Sequence, residues 1–118
     1  MKTRIRPLLS LFFVTLLTIA MLSGNVEAIW ARYSGAELLE LCKNRNETLD
    51  QATCTGYVGG IYDALELQGI ICTRERPALS QLQQVAVNYI QSHPEELFWE
   101  SSILVRDALI QAFLCTKH

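Results

Sequence analysis

Cys54-Thr55-Gly56-Tyr57-Val58-Gly59-Gly60-Ile61-Tyr62-Asp63 packs three glycines and two tyrosines behind a cysteine, without a proline and without strict alternation of apolar and polar side chains. Extended from Gln51 to Gln68, the stretch carries Cys54, Tyr57, Val58, Ile61, Ala64 and Leu65 at 3.6-residue spacing, which predicts a helix with one buried face. Gly69 follows as a C-terminal cap. Glycine inside a helix costs about 1 kcal/mol relative to alanine, so Gly56, Gly59 and Gly60 need a reason. Helical geometry puts them with Asp63, on the side away from Tyr57, Ile61 and Leu65. Such a surface admits a second backbone at close range. Another helix of the same chain is one occupant; a second subunit is the other.

The flanking segments read the same way. Ser34-Gly35-Ala36-Glu37 has the form of a capping box and opens a helix through Leu38, Leu39, Leu41 and Cys42. Lys43 to Asp50 is polar and reads as a loop, and Ile70 to Leu79 as a connection. A second capping box, Ser80-Gln81-Leu82-Gln83, opens a helix whose buried stripe is Leu82, Val85, Ala86, Tyr89 and Ile90. His93-Pro94 ends it, because a residue before proline avoids the helical region. Pro94-Glu95-Glu96 suits one further turn. From Ser101 or Ser102 to Leu114 the apolar residues lie nearly all round, which predicts the most buried helix, with Arg106 and Asp107 as polar breaks and Asp63 as a partner for Arg106. The expected fold is all-α: a small bundle of about four to five helices stapled by disulfides.

The N-terminus sets the compartment. Lys2, Arg4 and Arg6 precede an apolar run from Leu8 to Leu22, and Val26-Glu27-Ala28 supplies small residues where a signal peptidase reads. Residues 1–28 are thus expected to be a cleavable signal peptide and 29–118 a single exported domain, soluble, disulfide-permissive and free of the membrane after cleavage. Losing Lys2, Arg4, Arg6 and Glu27 lowers the 10 basic and 12 acidic residues to 7 and 11, a formal charge of −4. That balance argues against nucleic acid, which needs clustered Lys and Arg. A domain this short is marginal without staples. Cys42, Cys54, Cys72 and Cys115 allow three pairings. Helix geometry favours Cys42 with Cys54 across an antiparallel hairpin, leaving Cys72 for Cys115.

Chemistry is sparse. A cysteine nucleophile needs a free thiolate and a base, and all four cysteines have a structural use. His93 sits at a helix boundary, where it caps, and no carboxylate pair stands out as acid and base. The glycine cluster has no phosphate-binding lysine after it, and the cysteines lack Cys-x-x-Cys spacing. No enzyme activity, cofactor or metal is expected.

Cys54, Gly56, Tyr57, Gly60 and Asp63 resemble the Cys-x-Gly-Tyr-x-x-Gly-x-x-Asp signature of the type VI secretion amidase immunity proteins. The likeness extends through Cys72, Val87 to Ile90, His93-Pro94-Glu95 and the run from Leu104 to Cys115, covering about Leu39 to Cys115. Thr73 and Leu114 stand where members often have proline. The resemblance implies a helical, disulfide-stapled periplasmic protein, usually a homodimer, that blocks the cleft of an injected peptidoglycan amidase. Candidate contact residues are Arg74, Glu75 and Arg76 in one loop and Phe98 and Trp99 in another, because arginine and aromatic residues dominate interface energetics; the polar loop Lys43 to Asp50 is a third candidate. Two other functions fit the same features: a periplasmic helical chaperone of the acid-stress type, and a regulator of an envelope enzyme.

Overall fold

The computed structural model describes residues 5–22 and 32–116. The chain divides into two compact units, residues 1–31 and 32–118. In the first, α1 (Ile5–Leu22) is continuous; the hydroxyls of Thr15 and Thr18 donate to the carbonyls of Leu11 and Val14. Eighteen residues span about 27 Å, and no helix among the described residues is long and apolar enough to cross a membrane. The expected cleavage point after Ala28 lies outside the described residues, as does His118.

The second unit is built from α2 (Gly35–Lys43), α3 (Thr48–Leu67), α4 (Leu79–Ser92), a single 3₁₀ turn (Pro94–Glu96) and α5 (Ser101–Ala112). Its described residues form no strand, only two isolated bridges, Ser34 with Glu100 and Ile71 with Leu114. α2 starts as its sequence demands: the Ser34 hydroxyl accepts from the Glu37 N–H while the Glu37 carboxylate accepts from the Ser34 N–H. α3 starts at Thr48, three residues before the expected Gln51, over a Glu47 that makes no side-chain cap bond. It ends where Gly69 takes φ +68, a left-handed conformation that glycine adopts without strain.

Four other expectations are corrected. α4 is capped by Ala78, not opened by Ser80; the Gln81 side chain accepts from the Ala78 N–H at 3.0 Å. Because Gln81 already bonds back three residues, the helix gains its first turn without a serine cap, and Ser80 lies exposed inside it. In α3 the buried side is Cys54, Val58, Gly59, Tyr62 and Leu65, with Ala64 exposed. α5 is not buried all round: Ser101, Leu104, Val105, Ala108 and Leu109 face inward, whereas Arg106 and Ala112 are exposed. Arg106 bonds its neighbour Asp107 at 2.8 Å, and Asp63 instead receives Arg76 at 2.6 Å.

The core joins all four helices through Leu38, Val58, Tyr62, Leu82, Ile90, Leu104, Val105 and Leu109. Burying an aliphatic or aromatic side chain of this size contributes roughly 1.5–3 kcal/mol. Two disulfides, Cys42 with Cys54 and Cys72 with Cys115, pin the bundle at both ends of the chain, and they are the pairs that helix geometry favours. The first is reinforced by two amides: Gln51 and Gln83 both donate to the Cys42 carbonyl at 3.0 Å, tying α2 to α3 and α4. At the second, the Cys72 N–H donates to the Phe113 carbonyl at 2.9 Å.

Candidate partner-binding surfaces

The turn between α4 and α5 carries two exposed aromatic side chains. Phe98 is 92 % exposed and Trp99 50 %. Adjacent exposed aromatic side chains are candidates for contact, since aromatic residues dominate interface energetics. The backbone beneath them is fixed. Gly35 and Ala36 N–H groups, at the start of α2, donate to the Trp99 and Leu97 carbonyls at 2.9 and 3.0 Å, and the Ser101 N–H donates to the Tyr33 carbonyl at 2.9 Å. Glycine at 35 is required for this approach, since a Cβ there would overlap Leu104 and press on the Leu97 carbonyl. A rigid support beneath exposed aromatic groups loses little entropy on binding. At the flank, Arg32 pairs with Glu100 at 2.6 Å, with both side chains largely in solvent.

A groove of about 540 Å³ runs along α2 to its C-terminal end, lined by Tyr33, Glu37, Glu40, Leu41, Lys43, Asn44 and Asp50. Three carboxylates against one lysine make it acidic. Glu37 stays ionised below the ordinary carboxylate range because the Ser34 backbone N–H, and then its hydroxyl, hydrogen-bond to it. The polar loop Lys43 to Asp50 thus contributes Lys43, Asn44 and Asp50 to a concavity, with the Asn44 amide donating to Asp50 at 2.8 Å. A second, more polar groove of about 490 Å³ holds Gln51, Gln83, Gln84 and Gln91. Of these only Gln83 had a sequence reading, as the last residue of the expected Ser80 box; their convergence on one groove is a matter of packing between helices.

Arg74, Glu75 and Arg76 are exposed on the segment after α3. Arg76 is held by Asp63, and Thr73 hydrogen-bonds the Tyr62 hydroxyl at 2.8 Å. Neither groove brings this cluster together with Phe98 and Trp99. The remaining motif residues divide by role. Cys54 is bridged and buried, and the Tyr57 hydroxyl accepts from the fully buried Ser101 at 2.8 Å. His93 stacks on Tyr89 with ring centroids 4.1 Å apart, its Nδ1–H donating to the Tyr89 carbonyl at 2.8 Å, and Pro94 opens the 3₁₀ turn. Gly56 and Gly60 are exposed and pack against nothing within 4 Å of an added Cβ, whereas Gly59 meets Leu79. Packing within the chain therefore accounts for Gly59 only.

The four cysteines are all consumed by disulfides, and among the described residues no cluster of His, Cys, Asp or Glu is arranged to hold a metal ion. What the surface offers is contact: an aromatic projection held by the start of α2 and an acidic groove along that helix. A family model described as Rap1a immunity proteins matches residues 34–115, from the Ser34 cap to the last disulfide cysteine. No curated protein and no solved structure matches.

Proposed function

The chain belongs to the Rap1a immunity protein family, an immunity protein for a secreted effector, and from that premise we propose that it works in the periplasm against a peptidoglycan amidase delivered by a type VI secretion system. Residues 1–28 direct export and are removed, and residues 29–118 form the inhibitory domain. It acts as a homodimer and without catalysis, by occluding the amidase cleft. The observation that supports this most is the Phe98-Trp99 projection on its braced turn, an apolar wedge of the kind that fills a cleft. The adjoining acidic groove favours a basic rim on the enzyme. An inhibitory contact of this type buries on the order of 1,600 Å² in total. Arg74, Glu75 and Arg76 are a second contact segment, anchored next to the Cys72–Cys115 bridge.

The test is to express the full chain, tagged at its C-terminus, in its own host under conditions where effector genes are active, and to identify what co-purifies. The expected result is one stoichiometric amidase with a Cys/His active site, whose hydrolysis of peptidoglycan stops on adding the purified protein. Recovery of a secreted effector of another chemistry would keep the immunity role and overturn the amidase. Recovery of a housekeeping envelope enzyme, with altered growth on deletion in the absence of any attacker, would overturn immunity itself.

A further inference from the structure

The two disulfides differ in what can reach them. Cys42 is 4 % exposed and Cys54 0 %, and the Gln51 and Gln83 amides close over the Cys42 carbonyl. Cys72 is exposed and Cys115 half-buried. A disulfide exchanges when a thiolate reaches one of its sulfurs, so access decides which bond reacts. Exposed apolar side chains accompany the second bond. Leu67 and Ile70 stand on either side of the Gly69 turn, and Leu114 precedes Cys115. The Cys115 Sγ lies 3.7 Å from the carbonyl oxygens of both Gly69 and Ile70. A thiol can donate to such oxygens, whereas a disulfide sulfur has no hydrogen to give. The acceptors suit the reduced state.

We propose that Cys72–Cys115 is a thiol–disulfide exchange site, opened in the folded protein by a protein dithiol. One thiolate of the partner attacks the exposed Cys72 Sγ. The Cys72–Cys115 bond breaks, and Cys115 leaves as a thiolate that takes a proton from water and then hydrogen-bonds to the Gly69 or Ile70 carbonyl. The partner's second thiolate attacks the partner sulfur of the mixed disulfide and releases Cys72. Two electrons pass from the dithiol to the bond, and the partner is left as a disulfide. Leu67, Ile70 and Leu114 offer a protein contact area that a small thiol does not use.

Opening this bond leaves the fold in place. Ile71 stays buried, the Phe113 ring meets Tyr62 edge-on with centroids 6.1 Å apart, and the Cys72 N–H still donates to the Phe113 carbonyl at 2.9 Å. The Cys42–Cys54 bridge continues to join α2 to α3. What loses its covalent anchor is the segment after Cys72, with Arg74 and Arg76. The exchange site goes beyond the immunity reading and does not depend on it.

The experiment is timed reduction of oxidised protein, produced from the full chain, by about 1 mM dithiothreitol near pH 8, where thiolates form. Iodoacetamide quenches each sample, peptide masses identify the labelled cysteines, and circular dichroism follows the helices. Cys72 and Cys115 are expected to label at least about 10-fold faster than Cys42 and Cys54, with the helical signal unchanged. Equal rates, or Cys42–Cys54 opening first, overturn the proposal. Loss of helix in step with the opening of Cys72–Cys115 overturns it too, since that bond would then be a staple alone. The partner class is tested with reduced thioredoxin whose second active-site cysteine is changed to serine, which cannot resolve the mixed disulfide. A trapped adduct on Cys72 is expected. An adduct on Cys115 overturns the direction of attack, and no adduct, with dithiothreitol still effective, overturns the protein dithiol as partner. Leu67→Ser with Leu114→Ser changes only exposed side chains. It is expected to slow trapping about 3-fold or more and to leave the dithiothreitol rate unchanged; equal trapping overturns the apolar contact.

Discussion

Gly35 and Gly56 are the same residue under opposite constraints. At Gly35 an added methyl would meet Leu104 in the core and the Leu97 backbone carbonyl, and backbone gives way less cheaply than the tip of a side chain. At Gly56 it would meet nothing. Gly35→Ala is therefore expected to cost about 1–3 kcal/mol by overpacking, whereas Gly56→Ala should raise the stability of a single chain by up to about 1 kcal/mol through helix propensity. Urea denaturation of both variants reads the contrast. Equal and small effects at the two positions would mean that the approach of α2 to the aromatic turn is loose. Gly35→Ala carries a second consequence, because its N–H holds the Trp99 carbonyl: any shift of α2 moves the projection. Ser101 acts in the same neighbourhood, a fully buried polar side chain satisfied by Tyr57.

At the scale of elements, caps and bridges decide where the helices stop. The Ser34–Glu37 box depends on an ionised carboxylate. Its folded pKa is lowered, chiefly by the Ser34 backbone N–H, so its stabilisation is present above the ordinary carboxylate range and lost as pH falls through the lowered value. Glu37→Gln cannot titrate. The stability gap between wild type and Glu37→Gln should therefore shrink between pH 7 and about pH 3; a gap that does not change would show that the box contributes no pH dependence. The bridges differ by loop length. Cys72 and Cys115 close a separation of 43 residues, and Cys42 and Cys54 one of 12. The chain-entropy model then puts the cost of removing them, as paired serine variants, near 4 and 3 kcal/mol. Denaturant midpoints in that order support the entropic account, and the reverse order would mean that the glutamine bonds to Cys42 matter more than loop length. These elements also show what residue spacing reveals. The Ser34 box was legible because both partners of a reciprocal bond stand three residues apart. The start of α3 was not, since Glu47 caps nothing, and Ser80 misled because Gln81 bonds the backbone at Ala78 without a hydroxyl. Apolar content predicted α5 but not its sidedness: Ile103, Ile110 and Phe113 are only partly covered, a matter of which neighbours arrive.

For the whole molecule, the candidate site was legible as residue type and illegible as geometry. Phe98 and Trp99 stood out as aromatic, yet core packing and exposure have the same signature in a short turn. It is the support from Gly35, Ala36 and Tyr33, distant in sequence, that sets the two rings on the surface. Arg74 and Arg76 stood out as a cluster, but Arg76 is already engaged by Asp63 in an exposed pair worth about 0–1 kcal/mol. The two segments therefore carry different expectations in one binding experiment against the effector. Phe98→Ala removes a side chain with almost nothing packed on it in the free protein, so Tm should not move. If Phe98 fills the amidase cleft, its loss should weaken binding about 30-fold or more, the size of an interface hot spot of about 2 kcal/mol. Arg74→Ala with Arg76→Ala should weaken it less and in a salt-dependent way, as rim charges do. The inverse ranking, with Phe98→Ala at wild-type affinity and the arginine pair decisive, would move the blocking surface from the α4–α5 turn to the segment after α3. A rigid aromatic wedge acts through shape and burial, so its contribution should persist at high salt. Titration at 50 mM and 500 mM salt separates that from electrostatic capture by the acidic groove.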